Sequence, residues 1–306
     1  MERMDSAALV GRRLNRYLIG ELIGHGGMGL VYRARDTYAH RDVALKVLDP
    51  SSNQDALDRF QREALWLSYC DGPHIVPVYD TGRADGIAYI AMELMATTLQ
   101  ARIREGRAPI EEVVSVGVGI LLGLAVAHRI GIVHRDVKPA NVGISTSGVI
   151  KLLDFGVANP LPWSTHDQNS GTSPPTPFVG TLDYMSPEQL RGDRLDERSD
   201  IYSAGAVLYE LATGRRPFPE NRPACLIDAI LNAAPPPPST LHDDVSPALE
   251  DVLLTALEKQ RSRRFRSAMA MVSALRELDP EPVPSSRAAV ARLTESAAGR
   301  YQLRAL

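Results

Sequence analysis

The sequence predicts an α+β protein in which a strand-rich first third is followed by a mainly helical remainder. The chain has 306 residues, 44% of them hydrophobic and 23% charged, which is the balance of a globular protein with a large core. Roughly the first hundred residues contain short β-branched or alternating apolar runs between turn residues. From about Leu99 onward, apolar residues recur at helical spacing. Two lobes are therefore expected, joined near Glu93–Thr98.

Five strands and one helix are predicted in the first third. Ala56–Tyr69 is the predicted helix because its apolar residues recur every three or four positions. The predicted strands are Tyr17–Ile23, Leu30–Arg35, Asp42–Leu48, Ile75–Tyr79 and Ile87–Glu93.

The remainder contains five predicted helices: Glu111–His128, Asp200–Thr213, Pro223–Ala233, Ser246–Lys259 and Ala268–Leu278. Pro109 followed by two glutamates favours a helix start. The Asp200 side chain is expected to cap the next helix. Residues 159–177 and 235–238, rich in proline or in small polar residues, are expected to be irregular. A composition change after Pro280 indicates a domain over residues 17–280, with lobes 17–93 and 99–280, between an N-terminal extension 1–16 and a tail 281–306.

Composition and charge disfavour several classes of function. A net charge of -3 argues against a strongly basic nucleic-acid binder. The two cysteines, Cys70 and Cys225, form no zinc motif or disulfide scaffold, so both are interpreted as packing residues in a reducing, cytoplasmic setting. The apolar stretch Val113–Ala127 is shorter than the roughly 18 to 20 residues that span a bilayer, which favours a buried core helix and no membrane segment in this chain.

A glycine-rich turn, Gly24-His25-Gly26-Gly27-Met28-Gly29, lies between two predicted strands. Glycines let the backbone approach phosphates without Cβ clashes. Dinucleotide-binding turns share this spacing but lead into a helix, whereas this turn leads into a strand. Taken alone, the motif leaves an ordinary glycine hairpin open.

A lysine one strand later adds a second signal. Lys46 follows the apolar run Val43-Ala44-Leu45, where it could reach phosphates if a carboxylate held it. Glu63 on the predicted helix is the candidate partner. The alternative for each is an ordinary solvated side chain.

The decisive signal combines His134-Arg135-Asp136-Val137-Lys138-Pro139-Ala140-Asn141 with Asp154-Phe155-Gly156. Phosphoryl transfer needs a carboxylate for the attacking hydroxyl, hard oxygen ligands for Mg²⁺ and a cation for the developing charge. Asp136, Asn141, Asp154 and Lys138 supply these groups at fixed offsets.

These motifs resemble those of the eukaryotic-like, bacterial-type serine/threonine protein kinases from about Tyr17 to Leu278. The resemblance implies a two-lobed protein kinase fold. Its small lobe would hold a five-stranded antiparallel β-sheet plus helix C, its large lobe would be mainly α-helical, and ATP would bind in the cleft. It also implies ATP and Mg²⁺ as cofactors, with Mn²⁺ as an alternative metal, and proteins with Ser/Thr acceptors as substrates.

The resemblance assigns roles residue by residue. The implied catalytic residues are Asp136, Lys138, Lys46 and Glu63, and the implied metal ligands are Asn141 and Asp154. The implied nucleotide-binding residues, besides Lys46 and the metal ligands, are Ile23, Gly24, His25, Gly26, Gly27, Met28, Gly29, Leu30, Val31, Ala44, Glu93 and Met95, with Met92 as gatekeeper.

Further features follow from the same resemblance. Lys138 and Gly180-Thr181 point to Ser/Thr rather than Tyr acceptors, and Ser186-Pro187-Glu188 resembles the A-P-E motif, whose glutamate would pair with Arg264.

Regulation by phosphorylation is also implied. Arg135 beside Asp136 implies activation by autophosphorylation of the loop at Thr172, Ser173 or Thr176, for which unmodified loop residues are the alternative. Related bacterial kinases can pair through their small lobes, so a homodimer of this kind is an expectation.

One departure and two competing functions accompany the resemblance. Gly143 stands where the family usually has Leu or Met beneath adenine, which predicts weaker ATP binding or a deeper pocket. A pseudokinase scaffold usually lacks the lysine or an essential aspartate, whereas Lys46, Asp136 and Asp154 are all present. Small-molecule kinases lack the docking segment Gly180–Glu188 that this chain contains.

Overall fold

The computed structural model describes residues 9–26, 29–49, 52–155 and 182–278. The chain divides into two compact units, an N-terminal unit Met1–Met95 and a C-terminal unit Ala96–Leu306. The division lies within the segment Glu93–Thr98, where the sequence changes from strand-forming to helix-forming patterns.

One antiparallel sheet forms most of the N-terminal unit. Its strands are β1 (Arg13–Leu14), β2 (Tyr17–Gly26), β3 (Gly29–Asp36), β4 (Arg41–Leu48), β5 (Val78–Ala84) and β6 (Ile87–Glu93). They are ordered β1-β2-β3-β4-β6-β5. The sheet thus has six strands rather than the expected five. The extra strand, β1, forms because a turn with Asn15 at φ 53° folds residues 13–14 back onto β2.

Residues 9–16 belong to this unit although the sequence suggested an extension before the domain. Leu9 and Leu14 are buried in the same apolar cluster as Tyr17 and Ile19. Burial of these two leucines stabilises the attachment of the segment, at about 1.5–3 kcal/mol for each fully buried side chain.

The two faces of the sheet have different roles. Side chains alternate between the faces along a strand. Val43, Leu45 and Val47 of β4 join the apolar cluster on one face. Ala44 and Lys46 therefore point to the opposite face. The apolar cluster fixes the register, because a one-residue slip would exchange the two sets.

The helix α1 (Gln54–Tyr69) starts two residues earlier than predicted because the Asn53 side chain caps it, accepting a hydrogen bond from the N–H of Ala56. Strand β5 begins later than the predicted Ile75–Tyr79. Pro77 has no N–H to donate to a sheet ladder, so pairing with β6 starts at Val78.

The C-terminal unit is mainly helical. Its helices are α2 (Leu99–Ile103), α3 (Ile110–Arg129), α4 (Pro187–Arg191), α5 (Glu197–Thr213), α6 (Pro223–Asn232), α7 (Pro247–Ala256) and α8 (Ala268–Glu277). A small antiparallel sheet joins the strands β7 (Thr97–Thr98), β8 (Val142–Ile144) and β9 (Ile150–Leu152). Short 3₁₀ turns occupy Pro139–Asn141, Leu182–Tyr184, Pro238–Thr240 and Arg261–Arg263.

Helix α3 is the centre of this unit. It is 20 residues long and apolar enough to cross a membrane by composition, yet 56% of its apolar window is buried. It packs against α5, α8 and β9. A Cβ at Gly117 would lie 2.8 Å from a Leu275 methyl, and one at Gly119 would lie 2.6 Å from Ile150. The glycines of α3 therefore permit the close approach that a core helix requires.

Three expectations for this unit and its neighbour are wrong in detail. Asp196, not Asp200, caps α5 by accepting from the N–H of Arg198, so the helix begins at Glu197. Helix α7 ends at Ala256 rather than near Lys259. Cys70 is buried as expected of a packing residue, but Cys225 is exposed.

Candidate active site

A buried ion pair lies on the face of the N-terminal sheet opposite its apolar cluster. Lys46 Nζ lies 2.6 Å from Glu63 Oε1, and each side chain is 3% exposed. The alternation of β4 aims Lys46 toward this face, and helix α1 presents Glu63 on the same side as its buried Phe60 and Leu67. Glu63 is therefore the partner that Lys46 was expected to need.

The described part of the glycine-rich turn is a β-hairpin. Gly24, His25 and Gly26 of β2 pair with Val31, Leu30 and Gly29 of β3. A Cβ at Gly29 would lie 2.0 Å from the Val47 carbonyl oxygen, so only glycine fits there. Ile23 at the entrance to the turn is 42% exposed. Gly27 and Met28, at the tip, lie outside the described residues.

Other residues assigned to the nucleotide share the face of Lys46. Val31 is directly opposite Lys46 across β3 and β4, and Met92 is directly opposite Ala44 across β4 and β6. Directly opposed residues of an antiparallel pair point to the same side. Val31, Ala44, Lys46 and Met92 therefore form one row of neighbouring side chains.

The end of β6 is fixed by a backbone hydrogen bond. The N–H of Glu93 donates to the Pro77 carbonyl at 3.2 Å. Glu93, which the resemblance assigns to the nucleotide, is thereby tied to the residue that precedes β5. Met95 is the last residue of the N-terminal unit.

In the C-terminal unit, one hydrogen-bonded cluster joins Asp136, Lys138 and Asn141. Lys138 Nζ lies 2.7 Å from Asp136 Oδ2, and the Asn141 amide donates to the carbonyl and to Oδ2 of Asp136, at 2.9 Å each. The 3₁₀ turn Pro139–Asn141 closes the loop, with the N–H of Asn141 donating to the Lys138 carbonyl. The Asp136 side chain is 10% exposed, which leaves it accessible yet partly desolvated.

The same cluster orients Asn141 toward oxygen ligation. Its amide nitrogen is engaged by Asp136, so the side-chain atom left for a ligand is Oδ1, a hard oxygen of the kind Mg²⁺ prefers. The N–H of Leu153 donates to the Asn141 carbonyl at 3.0 Å, which ties the segment carrying Asp154 to Asn141. Among the described residues, no group of three or more His, Cys, Asp or Glu could hold a metal. A Mg²⁺ site with Asn141 and Asp154 needs none, because phosphate and water oxygens complete such sites.

Asp200 binds the backbone of the loop that precedes Asp136. Its buried carboxylate accepts from the backbone N–H groups of His134 and Arg135, at 2.8 Å each, and lies 2.8 Å from His128 Nε2. Arg135 has φ 70°, the left-handed region that non-glycine residues rarely adopt. The two backbone hydrogen bonds hold this conformation directly before Asp136. Sequence reasoning missed this role because Asp200 stands at the predicted start of a helix, where aspartate is a common cap.

His134 links the loop to the segment after Asp154. Its ring packs on Phe155 with centroids 4.6 Å apart, and its Nδ1 accepts from the Asp136 N–H at 3.3 Å. Complete burial lowers the pKa of His134, which favours the neutral ring that this acceptor role requires.

A second buried ion pair supports the segment after the docking motif. Arg264 donates to both oxygens of Glu188, at 2.7 and 2.9 Å, as the resemblance implied. Burial acts to raise the pKa of Glu188, but the hydrogen bonds and charge of Arg264, aided by Ser199, hold it below its ordinary value. The neighbouring Gln189 donates to the Arg135 carbonyl at 2.7 Å, a contact the sequence argument did not foresee. The pattern Ser-x-x-Gln at 186–189 is typical of a capping box and indicates the bond between Gln189 and Ser186, but it does not indicate the contact with Arg135.

The loop expected to carry phosphorylation sites lies outside the described residues. These positions are Thr172, Ser173 and Thr176, together with the docking residues Gly180 and Thr181.

Comparisons with known proteins agree with these motifs. A family model described as "Protein kinase domain" matches residues 17–275. The serine/threonine-protein kinase PknB of Mycobacterium leprae is 40% identical over 265 residues, which are 84% of this chain and 42% of that protein. A probable serine/threonine-protein kinase of Clostridium perfringens is 35% identical over 288 residues, covering 92% of this chain and 41% of that protein. The chain thus spans less than half the length of these curated relatives.

A solved structure is also similar. The kinase domain of Mycobacterium tuberculosis PknI, solved as a mutant, is 28% identical with a TM-score of 0.65, covering 88% of this chain and 97% of that one. The predicted fold class is thereby confirmed.

Proposed function

The chain belongs to the protein kinase family, and we propose that it transfers the γ-phosphoryl group of ATP to serine and threonine hydroxyls of proteins. The observation that carries the proposal is the cluster of Asp136, Lys138 and Asn141, joined by hydrogen bonds of 2.7–2.9 Å. The relatives named serine/threonine-protein kinase support the same reaction.

In this proposal, Asp136 accepts a hydrogen bond from the acceptor hydroxyl and aims its oxygen at the phosphorus. The hydroxyl proton leaves toward the carboxylate as the new O–P bond forms. Lys138, already 2.7 Å from Asp136, lies where it can offset negative charge on the transferred group. Asn141 fixes the Asp136 side chain, so little reorganisation precedes transfer.

Residues assigned to the nucleotide occur in each unit. Lys46, kept in place by Glu63, binds phosphate oxygens, while the glycine turn offers backbone N–H groups. Val31 and Ala44 supply apolar surface for the base, and backbone groups near Glu93 and Met95 supply its hydrogen bonds. Asn141 and Asp154 would hold Mg²⁺, or Mn²⁺ in its place, and the bound metal would offset negative charge on the phosphate groups of ATP.

Incubation with γ-labelled ATP, Mg²⁺ and a generic acceptor protein tests the proposal. The expected result is label on serine and threonine of the acceptor, reduced by at least about a thousandfold in Asp136→Asn, as for loss of an essential acid–base group. Asp136→Asn keeps the shape of the side chain, and ATP binding by calorimetry serves as its control. Tyrosine label would contradict the acceptor class. Absence of label from wild type with Mg²⁺ and with Mn²⁺ would favour a scaffold.

Self-phosphorylation is a separate part of the proposal. Mass spectrometry of the labelled chain is expected to find phosphate on Thr172, Ser173 or Thr176 in wild type and not in Asp136→Asn. A protein labelled only on acceptor substrates would remove this mode of activation and leave the transferase activity intact.

Two further proposals concern the cellular compartment and the oligomeric state of the protein. Cys70 and Cys225 are both free thiols, which supports action in the reducing cytoplasm. Pairing of two copies through the N-terminal unit is proposed from the resemblance. Sedimentation velocity at several concentrations tests it, and a constant monomer at all of them would exclude the homodimer.

A further inference from the structure

The peptide bond between Arg135 and Asp136 is held at both of its polar groups. Its N–H, on Asp136, donates to His134 Nδ1 at 3.3 Å. Its carbonyl, on Arg135, accepts from Gln189 Nε2 at 2.7 Å. Rotation of this peptide would move Asp136 directly, because the Asp136 Cα is one of the six atoms in its plane.

Gln189 is itself fixed by the start of α4. Its Oε1 accepts from the N–H of Ser186 at 2.9 Å and from the Ser186 hydroxyl at 3.1 Å. These donors settle the orientation of the amide, so its nitrogen must face Arg135. Gln189 is only 4% exposed, so water does not compete freely for the bond.

The contact with Gln189 supports an unusual backbone conformation at Arg135. A left-handed conformation is unfavourable for a residue other than glycine and persists only where its surroundings enforce it. Asp200 holds the N–H of Arg135, on one side of this residue, at 2.8 Å. Gln189 holds the carbonyl on the other side. The two contacts together determine φ and ψ of the residue that precedes Asp136.

We propose that Gln189 is a positioning residue for phosphoryl transfer, whose amide N–H holds the Arg135 carbonyl and thereby sets the orientation of Asp136. The proposal rests on the proposed function for its kinetic effect but not for its structural one. It also gives α4, which follows the docking segment, a direct hydrogen bond to the loop that carries Asp136.

Gln189→Glu separates this role from helix capping. A carboxylate still accepts from the Ser186 N–H, as capping-box glutamates do, but it cannot donate to the Arg135 carbonyl. Gln189→Met removes the amide without adding charge, which provides a second variant if the carboxylate impairs folding. Ser246→Ala is the matched control. It deletes the hydroxyl that caps α7 through the N–H of Leu249 and touches none of these residues.

Two readouts test the proposal. In steady-state assays, kcat is expected to fall about tenfold in both Gln189 variants, with KM for ATP within about twofold of wild type, because positioning acts on the transition state. Ser246→Ala is expected to lower the melting temperature and leave kcat within about twofold. In hydrogen exchange resolved to single residues, the Asp136 amide is expected to exchange about tenfold faster in the Gln189 variants and unchanged in Ser246→Ala.

The outcomes are distinguishable from failure of the proposed function. If wild type is active and the Gln189 variants keep kcat and Asp136 exchange near wild type, the positioning role is wrong. If kcat of the Gln189 variants falls only in proportion to the fraction of folded protein, with Ser246→Ala as the reference, Gln189 acts only as a helix cap. The proposal is then overturned. If wild type transfers no phosphate, the exchange of the Asp136 amide alone decides whether Gln189 holds the loop.

Discussion

Replacement of Arg264 by methionine is expected to be among the most destabilising changes in the C-terminal unit. The Arg264 side chain is 0% exposed and that of Glu188 is 2% exposed, and two hydrogen bonds of 2.7 and 2.9 Å join them. At 2.7 Å and an effective dielectric constant near 20, their gross attraction is about 6 kcal/mol, most of it offset by the cost of desolvation. The net contribution of the pair to the free energy of unfolding is therefore small, whereas removal of one partner is strongly destabilising.

The magnitude follows from what Arg264→Met would leave behind. The Glu188 carboxylate would remain buried and would keep the hydrogen bond from the Ser199 hydroxyl at 2.7 Å. The carbonyls of Glu258, Arg198 and Lys259 would also lose hydrogen bonds from Arg264. An uncompensated buried charge costs about 3–5 kcal/mol, so we expect a loss of about 4 kcal/mol. Glu188→Gln also leaves a buried charge without its partner, that of Arg264, but it keeps those three carbonyl bonds and an amide oxygen as acceptor, so we expect a smaller loss of about 3 kcal/mol.

Native-state hydrogen exchange of the amides of α5 is the suitable assay. A protein of two units need not unfold in one step, so a single melting curve would not isolate this region. A loss below about 1 kcal/mol in Arg264→Met would refute the reasoning, because the buried carboxylate would then be satisfied without arginine. Equal losses in Arg264→Met and Glu188→Gln would also contradict the role given to the carbonyl contacts.

The pH dependence of the same pair has a defined sign. The pKa of Glu188 is held below its ordinary value in the folded protein. Its contribution to stability is therefore present in full above the ordinary carboxyl pKa of about 4.3 and is lost as pH falls through the folded-state pKa. The stability difference between wild type and Glu188→Gln should shrink below about pH 4.

Two other changes test local features. Gly143 lies in β8 between the buried Val142 and Ile144, so a side chain there would point away from the core that those two residues fill. Gly143→Leu is expected to tighten binding of a non-hydrolysable ATP analogue by at least about tenfold, the equivalent of the roughly 1.5–3 kcal/mol gained on burying a leucine; equal affinity by calorimetry would remove the assigned role. Arg135→Val is expected to cost at least about 1–2 kcal/mol more than Arg135→Gly in loop hydrogen exchange, because the left-handed φ of 70° suits glycine and not a β-branched residue. Equal stability of the two variants would mean that the loop relaxes to another conformation.

Elements with strong periodicity could be predicted closely from the sequence. Ile87–Glu93 has the predicted bounds, and α3 differs from the predicted Glu111–His128 by one residue at each end. Both are set by local signals, an alternating or apolar run with turn or capping residues at its ends. The errors occur where tertiary contacts decide. Strand β1 is only two residues long and exists because its partner strand and two buried leucines hold it.

The candidate site shows the same division between residues that local sequence predicts and residues that only tertiary contacts reveal. Lys46, Glu63, Asp136, Lys138 and Asn141 could be chosen from the sequence because the proposed phosphoryl transfer demands particular side chains at fixed offsets. The structure brings these five residues into two hydrogen-bonded groups. The residues that hold these groups in position carry no such signature. Asp200 was expected to cap a helix because aspartate is common at helix starts, and nothing local reveals that it binds backbone N–H groups 65 and 66 positions earlier.

The difference between the two sets has a physical origin. A side chain that meets the phosphate or the metal must be of one chemical type, whereas a backbone carbonyl or N–H can be held by any donor or acceptor that reaches it. The left-handed conformation of Arg135 needs two such supports, and the fold supplies them from α5 through Asp200 and from α4 through Gln189. Because both helices lie far from Asp136 in the sequence, the geometry of the loop that carries Asp136 depends on the packing of the C-terminal unit. Substitutions that loosen α4 or α5 should therefore lower the rate of transfer more than they weaken ATP binding.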